Sequence, residues 1–551
     1  MRKAILILMI FCLNELNAQT DSTARGEVVD AEIVIEKDKK IILPVAEKIN
    51  LAVEMKDFGQ DPLSLTYKSI EPDFAWPDYK SEVGFSRFNK PYPSAKYQNY
   101  IKAGYGNYSS PLLDVGLFIK LESIRLGSRL YHESFAKGPV SDENSASSVS
   151  SFDFAADYRK KSFVLRPVLN YNRNGYRFYG NTDRLTSGFS SDQLDKASWS
   201  TIDFTINLTG EGKELTYFIR PKLTSATQTF INGRDINKES GLEFESGLAL
   251  KLDKTIKAGL NFEGYTGKYE GGLEYNRSLF QINPWVSHTS DEIKLVAGFI
   301  LASRKTDDVE SESGFYPSVF ADWKFTDKWS LFGSLKGGVE WNSLNSLLSM
   351  NQFLDDSLVI GSSELTSSFG GGVKGSPINN FTVKVGISLD NYSGLPFFVP
   401  SQSDSSTFTL TYDSETVNIF RYSGEAVLSL SSEAEVRATL DLFGYSVKSL
   451  EKAWHKPSYE FSIYYSHFIK RKILLTTHLV AVGGIRAPLN EAPGFTKLSA
   501  FADLNIAADY KITDRASVFM KLNNLLNNEY EKYLGYPVRG TSFKLGAGYR
   551  F

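Results

Sequence analysis

The 551-residue chain holds a single cysteine, Cys12, set in an N-terminal apolar run directly after Ile10 and Phe11. A disulfide is excluded, as is a thiolate metal site or a dithiol redox centre. The bulky pair before Cys12 also departs from the small residues of a lipoprotein signal, so no lipid anchor is expected. Long apolar runs are missing as well. Nothing after the N-terminus approaches the ~18 consecutive apolar residues of a membrane-spanning helix. Histidine is scarce, and His132, His288, His455, His467 and His478 include no pair at metal-ligand spacing, so no metal site is expected. A formal charge of -3 is not the balance of a nucleic-acid binder. Gly370, Gly372 and Gly375 satisfy a G-x-G-x-x-G pattern but lie in a strand-like run with no helix after them, which removes the dinucleotide reading. No serine, histidine and acid constellation is set by local context, so neither a cofactor nor an enzymatic activity is expected.

What is present is alternation. Phe543, Leu545, Ala547, Tyr549 and Phe551 fall on one face of the C-terminal stretch, and Ser542, Lys544, Gly546, Gly548 and Arg550 on the other. One face suits lipid and the other water, and the chain stops on an aromatic, as outer-membrane β-barrels do. Tyr549 and Phe551 are expected to serve as the signal read by the outer-membrane barrel assembly machinery. Aromatics and glycine are plentiful, with 38 Phe, 29 Tyr and 42 Gly. Such a composition fits a wall that is half lipid-facing and half wet.

From about Tyr97 onward the pattern repeats as hairpins. Phe244, Leu248 and Leu250 oppose Glu243, Glu245 and Lys251; after Asp253 and Lys254, Ile256, Ala258, Leu260 and Phe262 oppose Lys257, Asn261 and Glu263. Ile293 to Leu301 and Leu504 to Tyr510 read the same way, the latter against Asp503 and Asp509. Twenty-two segments can be counted, with tight turns near Glu122, Lys161, Gly212, Lys254, Asp291, Asp327, Asn379, Ser432, Arg471 and Asp514. Longer connections cover 135–149, 177–195, 343–362 and 394–417. Short turns at one end and long loops at the other predict an all-β, antiparallel transmembrane barrel over 97–551. Trp323 and Trp329 flank one tight turn, where an aromatic belt belongs. Thr407 to Tyr412 remains open as additional strand.

Residues 1–18 carry Arg2 and Lys3, an apolar core from Ala4 to Leu13 and a small-residue site at Ala18, which reads as a secretory signal peptide. Residues 19–96 contain Pro44, Pro62, Pro72, Pro77, Pro91 and Pro93 and read as an extended periplasmic or lumenal segment. Within it Ile33, Val34 and Ile35 form a short β-prone stretch able to add to the edge of a partner's sheet. In the loop after the strand near 380, Leu395, Phe397 and Phe398 interrupt an otherwise polar run and are expected to meet a partner, a ligand or the lumen.

The stretch Lys521-Leu522-Asn523-Asn524-Leu525-Leu526-Asn527-Asn528-Glu529-Tyr530, then Leu534-Gly535-Tyr536-Pro537, then Arg539 to Phe543 and Gly546 to Phe551, resembles the C-terminal end of TonB-dependent receptors. That resemblance implies a 22-stranded barrel around an N-terminal plug, and energised import of large scarce ligands. Glu32 to Ile35 faintly resembles the segment by which such receptors engage TonB. The 78 residues of 19–96 fall short of a conventional plug, so the chain is expected to be a plug-less variant. An empty barrel of this size is a wide hole. Something must block it: the N-terminal segment, inward-folded loops or another protein.

The expected location is the outer membrane of a Gram-negative cell, with outer-membrane lipid as the surrounding partner and no nucleic acid. Two functions follow. The barrel carries a solute across the outer membrane, or it is a scaffold or accessory subunit bound through its N-terminal segment to a surface lipoprotein, a periplasmic protein or a neighbouring barrel.

Overall fold

In a computed structural model, described for residues 99–140, 143–180, 196–230, 236–307, 310–402, 404–489 and 494–551, the alternating segments form one closed antiparallel sheet. The signal-peptide reading and the β-prone stretch Ile33 to Ile35 lie outside these residues.

The strands in chain order are β1 (Tyr100–Gly106), β2 (Leu112–Lys120), β3 (Ile124–Phe135), β4 (Ser147–Arg159), β5 (Phe163–Arg177), β6 (Lys196–Glu211), β7 (Leu215–Phe230), β8 (Asn237–Lys251), β9 (Ile256–Glu270) and β10 (Glu274–Thr289). They continue with β11 (Ile293–Thr306), β12 (Glu312–Thr326), β13 (Trp329–Glu340), β14 (Ser363–Ile378), β15 (Phe381–Ser393), β16 (Pro396–Pro400), β17 (Phe408–Tyr412), β18 (Val417–Ser431) and β19 (Ala434–Ser446). The last are β20 (Tyr459–Ile469), β21 (Ile473–Gly483), β22 (Arg486–Pro488), β23 (Phe495–Lys497), β24 (Phe501–Lys511), β25 (Ala516–Asn523), β26 (Glu531–Tyr533), β27 (Tyr536–Pro537) and β28 (Ser542–Arg550). The pairs β16/β17, β22/β23 and β26/β27 are hairpins in loops, and the other 22 strands are the wall. Each wall strand pairs with its neighbours along the chain, and β1 closes on β28 from Tyr100↔Arg550 to Gly106↔Lys544.

Period-two patterning explains the two surfaces. On β28, Phe543, Leu545 and Tyr549 are exposed outside while Ser542 and Lys544 are buried inside. The rings of Phe244, Phe262 and Phe280 step across the exterior of β8, β9 and β10, with centroids 5.8 and 6.3 Å apart. Trp323 lies exposed beside Phe325 near the turn at Asp327, as an aromatic belt does. No described helix is long and apolar enough to cross a membrane, and the closed ladder of the 22 wall strands leaves no unpaired edge.

Inside, charges pair across the wall. Lys222 lies 3.2 Å from Glu243, Arg220 2.7 Å from Glu245, and Lys102 2.6 Å from Asp509. Lys544 on β28 reaches Glu133 on β3 at 2.5 Å, spanning β1 and β2. Phe519 lies over Gly546 and Gly104, where a Cβ on either would run into its ring. The closing seam is therefore bridged by side chains as well as by its ladder.

All ten expected tight turns lie at one end of the barrel, and the long connections lie at the other. Within Thr407 to Tyr412, Phe408–Tyr412 is strand, yet it pairs with β16 inside a loop and adds nothing to the wall. β20 begins only at Tyr459 and β24 only at Phe501. Trp454, His455 and Leu498 are drawn into loop packing instead.

Candidate functional site

The long-loop mouth carries the largest buried hydrophobic cluster among the described residues. Tyr176, Phe178, Phe230, Tyr269, Leu344, Leu347, Leu348, Phe353, Leu354, Phe398, Phe408, Tyr533 and Tyr536 form one buried cluster drawn from the ends of wall strands and from several loops. The wall strands alone bury only a smaller cluster, Tyr265, Leu279, Ala302, Tyr316 and Val339. At the mouth, apolar residues of the loops pack with those at the strand ends.

Loop 341–362 is fixed first. Ser343 caps the helix α1 (Leu344–Met350) through a capping box with Ser346, and the 344/347/348 spacing puts three leucines on the buried side. The Leu344 N–H donates to Glu239 on β8 at 2.5 Å, and Glu239 pairs with Arg277 on β10 in a fully buried ion pair. The Arg277 guanidinium also donates to the carbonyls of Ile360 and Asn342, each at 3.0 Å, and lies 4.1 Å over the Trp341 ring. Gln228 donates to the Leu354 carbonyl at 2.9 Å and Asn237 to that of Asp355 at 2.8 Å. The Tyr269 hydroxyl donates to Asn237 at 2.8 Å. Polar side chains at the ends of β7 to β10 thus hold the backbone of this loop, satisfying groups that burial would otherwise leave costly.

The hairpin β16/β17 docks on this loop. Backbone bonds run from Phe408 N–H to the Phe353 carbonyl at 2.8 Å and from Asp355 N–H to the Phe408 carbonyl at 2.9 Å, while Ser401 donates to the Asp355 carboxylate. Asp413, just after the hairpin, accepts from Lys448 N–H at 2.7 Å, Ser449 N–H at 3.1 Å and the Ser449 hydroxyl at 2.8 Å. Burial acts to raise this carboxyl, yet the bonds from Glu415, Lys448 and Ser449 outweigh it and hold it well below the usual carboxylate range. That carboxylate ties loop 447–458 to the hairpin.

The packing of the loops on one another is completed at three aromatic rings. Phe353 and Tyr536 stack with centroids 3.5 Å apart, Tyr179 lies 4.9 Å from Tyr536, and Tyr179 lies 5.9 Å from Phe353. Tyr536 donates to the Ser406 carbonyl, Tyr533 to that of Met350 at 2.5 Å, and Tyr179 to that of Pro537 at 3.1 Å. Burial raises all three phenols, Tyr179 to about 12. Their loops follow β5, β13 and β25, which are spaced eight, eight and six strands apart around the ring of 22. Loops that leave the wall after β5, β13 and β25 thus meet in one contact, which lies against the rim: Phe353 packs edge to face on Tyr176 of β5, and Gln228 of β7 holds the neighbouring Leu354 carbonyl.

Leu395, Phe397 and Phe398 lie inside this cap and are covered by the chain's own loops, with Phe397 and Val417 fully buried together. Tyr549 and Phe551 are exposed on the outer wall at the short-turn end. Glu243, Glu245 and Asp509 are engaged in the lumenal ion pairs above, and Asp503 accepts from Tyr530 at 3.0 Å. Gly370, Gly372 and Gly375 sit in β14, followed by β15 and no helix. Among the described residues no group of three metal-ligating side chains converges. The sequence reading missed Glu239, Arg277, Phe353 and His455. The one available signal was the Leu344, Leu347, Leu348 spacing within an expected loop.

No family model and no curated protein matches this chain. Solved structures do. The FrpB iron transporter from Neisseria meningitidis (F3-3 variant) superposes with a TM-score of 0.64 at 10% identity, over 82% of this chain and 81% of that one. The barrel has the fold of TonB-dependent receptors. The copper transporter OprC matches over 82% of this chain and 80% of its own at a TM-score of 0.62 and 10% identity. The pyoverdine outer membrane receptor FpvA from Pseudomonas aeruginosa PAO1 matches over 83% and 79% at a TM-score of 0.61 and 13% identity. At these identities the likeness concerns fold alone.

Proposed function

We propose that this chain is an outer-membrane barrel of the TonB-dependent-receptor type that carries a solute across the outer membrane, and that its long-loop cap is the gate. The observation that carries this reading is the contact of Tyr179, Phe353 and Tyr536, which joins three loops of the long-loop end that leave the wall after β5, β13 and β25. A conventional plug occupies the lumen from the N-terminal side; here the loops themselves supply a core at the opposite end, which suits a plug-less barrel. Iron, copper and siderophore transporters on the same fold support a solute of that scarce kind. The reading assigns no catalytic step to any residue.

The same closure supports a second reading, in which the barrel is a scaffold subunit and the cap is permanent. Planar-bilayer recording of the full chain separates the two. In the transport reading the wild type shows low conductance and Tyr536→Ala shows large, steady openings. If Tyr536→Ala stays closed and the protein copurifies with a stoichiometric partner, the scaffold reading replaces it.

A further inference from the structure

The cap places a histidine where several loops join. His455 lies in loop 447–458 with a left-handed φ of 56°, and its backbone N–H donates to the Arg486 carbonyl at 2.8 Å. Its Nδ1 lies 2.9 Å from the Phe398 carbonyl on β16, and its Nε2 lies 3.4 Å from the backbone nitrogen of Leu534. A carbonyl only accepts and an amide N–H only donates. The surroundings therefore put the proton on Nδ1 and leave Nε2 as the acceptor. The ring itself is packed at 5.3 Å from Phe408, edge to face, and at 5.4 Å from Tyr533. One neutral imidazole thus joins the 394–416, 447–458 and 524–541 loops.

The charged and titratable groups on the packed elements offer an added proton little support. Lys456 is next in the chain, buried, with its ammonium 5.8 Å from the Phe397 ring, and Lys532 lies on the 524–541 loop. Glu531 on that loop accepts from Gly535 N–H at 2.9 Å. On the hairpin side Asp404 accepts from Ser406, and Asp413 is held by loop 447–458. Tyr533 donates its hydroxyl to Met350.

We propose that His455 is an acid-sensitive latch of the cap: a proton on Nε2 turns the acceptor facing Leu534 N–H into a second donor, adds a cation beside Lys456, and releases the three loops from one another. This inference rests on the reading of the cap as the gate. Burial, with a smaller contribution from Lys456, holds the imidazole down to about 4 from 6.5, against the opposing effect of the Phe398 carbonyl. Because the open state then binds protons more readily than the closed one, closure is fully favoured above pH 6.5, weakens as pH falls toward 4, and weakens no further below it. The closed-to-open ratio drops at most about 300-fold over that window.

The test is hydrogen exchange on the full-length barrel in detergent, corrected for intrinsic rates, at pH 7.5 and pH 4.5, for wild type and His455→Gln. Glutamine can donate to the Phe398 carbonyl and accept from Leu534 without titrating. The latch requires exchange in 394–412 and 530–537 to rise tens of fold in wild type and to stay flat in His455→Gln. Equal responses in the two proteins, or no response in wild type, overturn it. If His455→Gln yields no heat-modifiable barrel, Lys456→Met takes its place: removing the neighbouring cation must weaken the acid response, and an unchanged response overturns the latch. Conductance keeps the two readings apart. If Tyr536→Ala conducts at neutral pH while acid leaves the wild-type loops protected, the gate stands and the latch falls. If acid exposes the loops while neither acid nor Tyr536→Ala raises conductance, the latch stands and the gate falls.

Discussion

Phe353 and Tyr536 stack 3.5 Å apart between ring centroids, although the loops that carry them leave the barrel wall eight strands from one another. A contact of that span ties loops about a third of the ring apart. Both side chains are buried, so truncating either removes apolar packing from the loop cluster. Phe353→Ala or Tyr536→Ala is expected to cost about 3–5 kcal/mol of cap stability, by analogy with buried aromatics elsewhere. Hydrogen exchange should show this in 344–360 and 530–537, with the wall strands unchanged.

The Glu239 and Arg277 pair makes a separable prediction. Removing one partner leaves the other buried without its counter-charge, at about 3–5 kcal/mol. Glu239→Gln should therefore loosen loop 341–362 strongly, and Arg277→Met should do the same. The double variant should be milder than the sum of the two, which a double-mutant cycle on local exchange would reveal.

Asp413 gives a pH dependence distinct from that of His455. Its carboxyl is held below its ordinary value of 3.8, so its tether is fully present above pH 3.8 and is lost as pH falls through the depressed value. The link between the hairpin and residues 448–450 should hold at pH 4.5. Asp413→Asn should weaken that link at every pH, read as faster exchange at Lys448, Ser449 and Leu450.

At the seam, the buried Lys544 meets Glu133 across β1 and β2. Lys544→Met leaves the Glu133 carboxylate without its cation in the lumen wall, an expected loss of about 1–3 kcal/mol. Heat-modifiability on gels should shift to lower temperature for this variant. Arg220→Met, whose side chain is half-exposed beside Glu245, should leave it almost unchanged.

The wall was legible in the sequence because its signal is local. Period-two alternation and turn residues every ten to sixteen positions are read one hairpin at a time, and the start at Trp329 or Ala434 falls where the pattern begins. The cap was not legible, because its contacts join residues far apart along the chain with no period between them. Phe398 was visible as an apolar residue in a polar loop, but nothing local says that Tyr533 and His455 cover it. Tyr536 is legible only as part of a Gly-Tyr-Pro stretch. Its burial against Phe353 depends on a loop rooted eight strands away.

The most direct measurement of the closed mouth is the distance between two of the loops that close it. With Cys12, the single cysteine, replaced by serine, spin labels placed at the exposed positions Ser357 and Glu529 report that distance without interference. In the full-length protein at neutral pH, pulsed electron resonance should give one narrow distance distribution, broadened by Tyr536→Ala. A broad distribution in the wild type, unaffected by Tyr536→Ala, would contradict a cap built from the chain's own loops.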